Sequence, residues 1–221
     1  MNYARSVKFI FESPRWWVTI LLGLLCLMIP LVGPVVFVGY GVTLFKNYHQ
    51  SKQDRLIAFD FAYFIDYLKS GIWPILGVFI FTFVSIFLFA AIVGIILALG
   101  YYSNVPSELL GILLWVVIIV FYIPFIFFVT LASIPMAIGA AVGLSLRDAL
   151  NPKFILDFIR LMWAETLVSV LFLAAVGFCA MFAGMFLCFV GTYLAMPFMM
   201  IVQWHLHWQL YETYLEKKRV V

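Results

Sequence analysis

The segment from Gln203 to Gln209 holds the most chemically capable residues of this sequence, because it carries two of the three histidines beside tryptophans and glutamines. On a helix, His205 and His207 lie about 200° apart, whereas metal-binding helices place their histidines four residues apart. The two rings are therefore not expected to share a metal ion. Gln203 and His207 do share a helical face, where they are placed to hydrogen-bond with a neighbouring helix. The simpler interpretation of the segment is a polar and aromatic belt at a membrane interface.

Glu165 is the second candidate, because it is the ionisable residue nearest to the interior of a long apolar run. Ionisable residues are costly within a membrane and commonly mark a functional site. Two interpretations stay open for Glu165: a carboxylate at the entry of a helix, or a gate or partner contact. An enzyme acting at the interface would require Glu165 to converge with His205 or His207 in one pocket.

Other signatures of catalysis are missing from the sequence. It has no Ser-His-Asp arrangement, no glycine-rich phosphate loop and no pair of catalytic carboxylates. The cysteines Cys26, Cys179 and Cys188 lie in apolar runs without the spacing of metal ligands. We therefore predict that the protein is not an enzyme and has no catalytic residue, cofactor or metal site.

The composition is that of a polytopic membrane protein. Of the 221 residues, 67% are hydrophobic and only 10% are charged, whereas soluble domains are about half apolar and about a quarter charged. The first apolar run has no cleavage site of small residues after it, so we expect a retained segment and not a signal peptide. The net charge of +3 is explained by membrane orientation, so no nucleic acid partner is expected.

The 13 lysines and arginines fall in four short stretches, at 5–15, 46–69, 147–160 and 217–219. Cationic segments remain on the cytoplasmic side of a membrane. All four stretches lie on one side only if the apolar run 16–45 turns back on itself. Because every stretch is then cytoplasmic, both chain termini are expected in the cytoplasm.

The turn within 16–45 is predicted at Pro30, Gly33 and Pro34, which form a strong breaker cluster. Each arm is then only about a dozen residues, or roughly 18 Å of helix, which is short for a crossing. The arms are expected either to be re-entrant or to thin the bilayer locally. The other outer turns are predicted at 101–108 and 185–191.

The predicted fold is therefore an all-α polytopic membrane protein with a single transmembrane domain over residues 1–221. It consists of three helical hairpins joined by cytoplasmic amphipathic interfacial helices, with Pro135 ending the second arm of the second hairpin. The predicted boundaries are hairpin 1 at about 14–47, interfacial 55–70, hairpin 2 at about 72–133, interfacial 136–163 and hairpin 3 at about 164–212.

The amphipathic segments are expected to lie flat on the inner leaflet, where they pack against lipid headgroups or dock a cytoplasmic partner. Basic residues of the cytoplasmic stretches are the candidates for these contacts, together with the polar residues above. The proposed partner or lipid contacts are Arg15, Lys69, Lys153, Arg160, Glu165, Gln203, His205 and His207. Small residues at Gly139 and Gly143, and at Ala180 and Gly184, have the spacing of close helix–helix contacts.

Three motifs resemble those of a bacterial and archaeal family, the domain-of-unknown-function 4013 family. They are the Ile-Pro-Leu-Val-Gly-Pro run at 29–34 with Gly39-Tyr40, the Ala-Leu-Asn-Pro-Lys-Phe-Ile run at 149–155, and Gln203, His207 and Tyr211. The resemblance extends along most of the chain. It implies a multi-pass protein of the bacterial cytoplasmic (inner) membrane and no established activity.

Two functions are compatible with these features. The first is a non-enzymatic scaffold or subunit of an inner-membrane assembly, with a protein partner or as a homo-oligomer. The second is a carrier, channel or flippase for a lipid or apolar solute, because broken helices can form sites at the membrane midplane. No charged residue lies in the middle of an apolar run, so any cargo is expected to be lipid-like. Membrane lipids are partners in both cases.

Overall fold

The structure, a computed structural model, describes residues 1–53, 55–103, 106–186 and 190–220. Helix accounts for 87% of the chain, and the described residues contain no strand. The helices are α1 (Arg5–Glu12), α2 (Trp16–Leu27), α3 (Val32–Ser51), α4 (Phe64–Tyr102), α5 (Ser107–Val117), α6 (Ile123–Val142), α7 (Leu146–Ala149), α8 (Pro152–Met185) and α9 (Val190–Val220). A 3₁₀ turn precedes α4, and a π-helical turn joins α5 to α6. The all-α prediction is confirmed.

Three segments are long and apolar enough to cross a membrane: Phe61–Tyr102, Ile119–Val142 and Pro152–Met185. The 18-residue windows that meet this criterion have mean hydropathies of 2.9, 2.2 and 2.4. A further pair, Arg5–Glu12 with Trp16–Leu27, is apolar enough in combination but bends by 103° between its two helices. The chain is therefore a membrane protein by the length and composition of its helices.

The predicted breaks at Pro30–Pro34 and near 185–191 agree with the ends of the helices. α2 ends at Leu27 and α3 begins at Val32, and Leu31 between them has a φ of +64°. α8 ends at Met185 and α9 begins at Val190. Residues 104, 105 and 187–189, which include Cys188 and parts of two predicted outer turns, lie outside the described residues.

The prediction of an interfacial helix over 55–70 is wrong in its first half. Residues 55–60 are not helical, and Leu56 and Phe59 are buried in the protein core. The hydroxyl of Tyr40 donates a hydrogen bond to the carbonyl of Ile57, and the N–H of Phe59 donates to Thr19 Oγ1 over 3.4 Å. These backbone groups are satisfied by the bundle, so the segment needs no helix of its own.

The predicted boundary at Pro135 is also wrong, because α6 continues through this residue to Val142. A proline costs the helix one hydrogen bond, and such losses are tolerated in membrane helices where neighbouring Ser and Thr side chains bond to the backbone. The carbonyl that loses its donor here is that of Leu131. Ser133 Oγ donates to the neighbouring carbonyl of Thr130 over 2.8 Å, and packing against α4 and α8 holds the turn. Gly143 then ends the helix in the left-handed region, at a φ of +90° with open space around it, so it is a helix cap and not a packing contact.

The predicted interfacial helix over 136–163 is likewise not a separate element. Its last part is the beginning of α8, which runs without interruption from Pro152 to Met185. The side chain of Asn151 caps α8 by accepting a 3.0 Å hydrogen bond from the N–H of Lys153. The amphipathic face does not lie on a membrane surface, because Phe158 and Met162 are buried against α6 and α9.

α9 lies at the centre of the bundle. It packs along α8 and α3 and also contacts α1, α2 and α6. Ile201 and Leu206 belong to one core cluster with residues of α1, α2 and α3, whereas Trp204 and Leu210 belong to a second with residues of α3, α6 and α8. The most apolar part of α4 stands apart from this core, since none of it is buried.

Candidate functional site

A pocket with a cavity volume of about 400 Å³ lies where α3, α4, α6 and α9 meet. We call it the His207 pocket. Most of its lining is apolar, with three polar residues among the apolar ones. The lining residues are Val38, Pro74, Ile75, Val78, Phe79, Thr82, Ala137, Met200, Gln203, Trp204 and His207. Its volume is within the range of about 300–1,000 Å³ that is typical of small-molecule sites.

His207 is the most unusual residue of this pocket. Its side chain is only 5% exposed, and its Nδ1 has no hydrogen-bond partner within the described protein. The ring packs edge-on against Trp204 at 5.3 Å, which holds its orientation. A buried polar atom without a partner costs about 1–3 kcal/mol. A ligand with one hydrogen-bonding group would remove that cost.

Gln203 and Thr82 supply the other polar groups of the lining. Gln203 is one helical turn before His207 on α9, and Thr82 lies across the pocket on α4. The prediction that Gln203 and His207 share one face is therefore confirmed. Because all three side chains are uncharged polar groups or a buried imidazole, the pocket suits a largely apolar molecule with few polar atoms.

A second pocket lies on α3, α4 and the end of α6 and has a volume of about 490 Å³. We call it the lysine pocket, since two lysines belong to its lining. The lining residues are Val42, Lys46, Lys69, Ser70, Trp73, Ala140, Gly143, Leu144 and Ser145. Within the described part of the chain, neither lysine has a carboxylate at ion-pair distance. The pocket is therefore positively charged.

His205 occupies a different environment from His207, as the helical angle between them predicts. It is fully buried, and its ring stacks on Phe9 with 4.3 Å between the centroids. Its Nδ1 lies 2.9 Å from Ser6 Oγ, and Gln209 Nε2 lies 2.9 Å from the same hydroxyl oxygen. This network fastens α1 to α9, and its role is structural.

Ion pairs connect the end of α9 to the neighbouring helices. Lys52 Nζ lies 2.7 Å from Glu212 Oε2, and His49 Nδ1 lies 2.6 Å from Glu212 Oε1. Burial raises the pKa of Glu212, but the hydrogen bonds and charges of Lys52 and His49 outweigh that effect and hold the pKa below its usual value. Lys217 Nζ lies 2.6 Å from Glu165 Oε1. Glu165 is thus paired with a lysine and does not line the His207 pocket.

The remaining predicted contact residues do not gather in one site. Arg15, Lys153 and Arg160 are exposed at the starts of α2 and α8. Among the eight predicted residues, only Gln203, His207 and Lys69 line the two pockets. In the described ranges, no group of three or more His, Cys, Asp or Glu side chains is arranged to hold a metal ion.

Sequence reasoning missed Lys46 and Thr82, which complete the two pockets. Lys46 belongs to a basic stretch whose composition indicates orientation in the membrane and no binding site. Lys46 lines the same pocket as Lys69 only because of how α3 crosses α4, and no periodic pattern in the sequence predicts that crossing. The glycines Gly39 and Gly71, at that crossing, were the available hint.

A comparison with protein families matches residues 21–189 to the family described as "Protein of unknown function (DUF4013)". This match covers more than half of the chain and confirms the resemblance seen in the motifs. No curated protein and no solved structure matches the chain.

Proposed function

The chain belongs to the DUF4013 family, and from that starting point we propose that it is a non-enzymatic integral membrane protein that holds a lipid or apolar solute in the His207 pocket. The observation that carries the proposal is the buried Nδ1 of His207, a residue of this largely apolar lining, which lacks a hydrogen-bond partner within the described protein. A carrier, channel or flippase needs such a site within the membrane.

The chemistry of the pocket supports a ligand with a long apolar part and an isolated polar group. Val78, Phe79 and Met200 offer apolar contact, while Gln203 and His207 offer a donor and an acceptor each. A soluble polar metabolite would leave most of its hydrogen bonds unsatisfied there. A lipid, by contrast, already lies beside α4 in the membrane.

The proposed topology has three hairpins, with both termini in the cytoplasm of a bacterial cell and the chain in the inner membrane. The positions of the basic residues support this arrangement. The first hairpin, α2 with α3, is re-entrant in this proposal. Its turn supports that assignment because Met28 is 70% and Leu31 87% exposed, as expected for apolar residues in contact with lipid and not with water.

A scaffold or subunit role is the second candidate function. One observation favours it: the most apolar 18-residue window of α4 has no buried residue. A surface of this kind accepts another membrane subunit or a second copy of the chain as readily as lipid. In that case the His207 pocket would be filled only incidentally.

Filling the pocket tests the proposal. The variant Val78→Trp places a large side chain into the pocket lining, and Val84→Trp makes the same change on an exposed part of α4 outside it. The lipid retained by each purified protein is then measured by native mass spectrometry. We expect Val78→Trp to lose retained lipid and Val84→Trp to keep it.

Equal lipid retention in the two variants would overturn the pocket as a binding site. A stoichiometric protein partner that co-purifies with both variants would then support the scaffold role. Both variants must show the same size-exclusion profile as the unaltered protein, so that misfolding is separated from loss of binding.

A further inference from the structure

We infer that the lysine pocket binds the phosphate-bearing head of an anionic phospholipid whose acyl chain enters the His207 pocket. This inference rests on the proposed function and names its ligand class. The two pockets lie side by side on the same three helices. On α3, Val38 lines the His207 pocket and Val42, one turn later, lines the lysine pocket. On α4, Trp73 lines the lysine pocket and the adjacent Pro74 lines the His207 pocket.

α6, the third helix, also contributes neighbouring residues to the two pockets. On α6, Ala137 lines the His207 pocket and Ala140 lines the lysine pocket, less than one turn later. We infer that one molecule occupies both pockets along these three helices. Its apolar part would contact Val78 and Phe79, and its head would lie between Lys46 and Lys69.

The charge of the lysine pocket selects the head group. Lys46 on α3 and Lys69 on α4 are exposed and lack a carboxylate partner among the described residues. Two uncompensated ammonium groups on opposite sides of a pocket attract an anion, and a phosphate offers several acceptor oxygens to both. Asp148 accepts a 2.6 Å hydrogen bond from Ser145 Oγ and does not belong to the lining.

The two pockets together extend along α4 by about the depth of one leaflet. Lys69 and Phe79 are ten residues apart on α4, which corresponds to about 15 Å of helix. The hydrocarbon of one leaflet is about 15 Å deep, half of a core of about 30 Å. Trp73, at 57% exposure, lines the lysine pocket, and tryptophans favour the headgroup region. The head is thus placed at the interface and the chain in the hydrocarbon.

Pro74 leaves one backbone carbonyl without its helical donor at the junction of the pockets. Because proline has no N–H, it does not donate the helical hydrogen bond to the carbonyl of Ser70. Ser70 lines the lysine pocket, so we include its carbonyl among the groups that a hydroxyl of the head group would reach. Phosphatidylglycerol carries such hydroxyls together with its single negative charge.

The test compares lipid selectivity in delipidated protein. Phosphatidylglycerol and phosphatidylethanolamine with identical acyl chains compete for the protein, and native mass spectrometry reports the bound ratio. The variant Lys46→Gln with Lys69→Gln is compared with a control, Lys8→Gln with Arg219→Gln, which removes two exposed basic residues that line neither pocket. We expect the first pair to lower the preference for phosphatidylglycerol by about 30-fold and the control to leave it unchanged.

Three outcomes would overturn the inference. One is an unchanged preference in Lys46→Gln with Lys69→Gln. Another is a lost preference in Lys46→Arg with Lys69→Arg, which keeps both charges. The last is displacement of phosphatidylglycerol by millimolar inorganic phosphate, since the pocket would then take a free anion. The proposed function fails separately, if Val78→Trp retains as much total lipid as Val84→Trp.

Discussion

Gly39 and Gly71 lie against each other where α3 crosses α4. A Cβ built on Gly71 would be 2.8 Å from the backbone nitrogen of Gly39 and 1.9 Å from the carbonyl oxygen of Val35. A Cβ on Gly39 would be 1.7 Å from the carbonyl oxygen of Tyr67. The contact is between backbones, so it cannot be relieved by a side-chain rotation. It sets the separation of the two helices that carry Lys46 and Lys69.

Replacing Gly71 by alanine should therefore destabilise the protein. The added methyl must displace backbone, and overpacking of this kind costs about 1–3 kcal/mol. The measurement is the midpoint of thermal unfolding in detergent. Gly94→Ala on the same helix is the control, because nothing lies within 4 Å of its Cβ position. An equal midpoint for the two variants would contradict this account of the crossing.

Replacing each of the two buried histidines by leucine should change the stability of the protein in opposite directions. His207→Leu removes a buried polar atom without a partner, so it should stabilise the delipidated protein by about 1 kcal/mol while weakening lipid retention. His205→Leu removes the contact with Ser6 and should destabilise it by about 1–3 kcal/mol. Chemical denaturation of lipid-free protein measures both changes. Destabilisation by His207→Leu would show that His207 is satisfied in the fold.

Glu212 should make stability depend on pH. Its pKa lies below the usual value in the folded protein, and that of the unfolded chain is about 4.3. The ionised carboxylate therefore stabilises the fold above that pH, and the contribution is lost as the pH falls through the folded-state pKa. We expect Glu212→Gln to cost roughly 1 kcal/mol at pH 7 and nothing near the folded-state pKa and below.

The control for this pH dependence is Glu216→Gln, since Glu216 is exposed on the same helix and has no ion pair in the described structure. Unfolding midpoints of both variants and of the unaltered protein are measured from pH 7 to pH 3. A difference between Glu212→Gln and the unaltered protein that grows as the pH falls from 5 to 3 would contradict the assigned ion pairs.

Single cysteines test the topology in a background where the three native cysteines are replaced by alanine. Ser103→Cys should react with an impermeant thiol reagent in intact cells, whereas Gln53→Cys should react only after permeabilisation. Leu31→Cys should react in neither condition, because a re-entrant turn remains within lipid although Leu31 is exposed on the protein. Labelling of Leu31→Cys from outside would instead mean that α2 and α3 cross fully.

The sequence was informative where a breaker or a helical angle settles the structure. The cluster from Pro30 to Pro34 marks the break between α2 and α3, and the angle between His205 and His207 separates their environments. Single prolines were less informative, because Pro135 lies inside α6. A proline ends a helix only if nothing else holds the next turn, and packing against α4 and α8 holds it here.

Features that depend on contacts between distant segments could not be predicted from the sequence. Residues 55–60 have the composition of an amphipathic helix, but Tyr40 and Thr19 bind their backbone instead. The pairing of Lys46 with Lys69 likewise depends on the crossing at Gly39 and Gly71. The amphipathic start of α8 was recognised correctly as apolar on one face, but what covers that face is α6 and α9 and not the membrane surface.

The central position of α9 also fixes the order in which the protein can be completed. Ser6 and His205, which touch in the core, are 199 residues apart. During synthesis, α1 to α8 are made before the helix that joins them, so Ser6 and the aromatic side chains around it lack their partner until α9 is complete. The nascent chain therefore passes through a period when it is inserted but unassembled. Ribosome stalling before α9 would leave a product that membrane proteases can recognise.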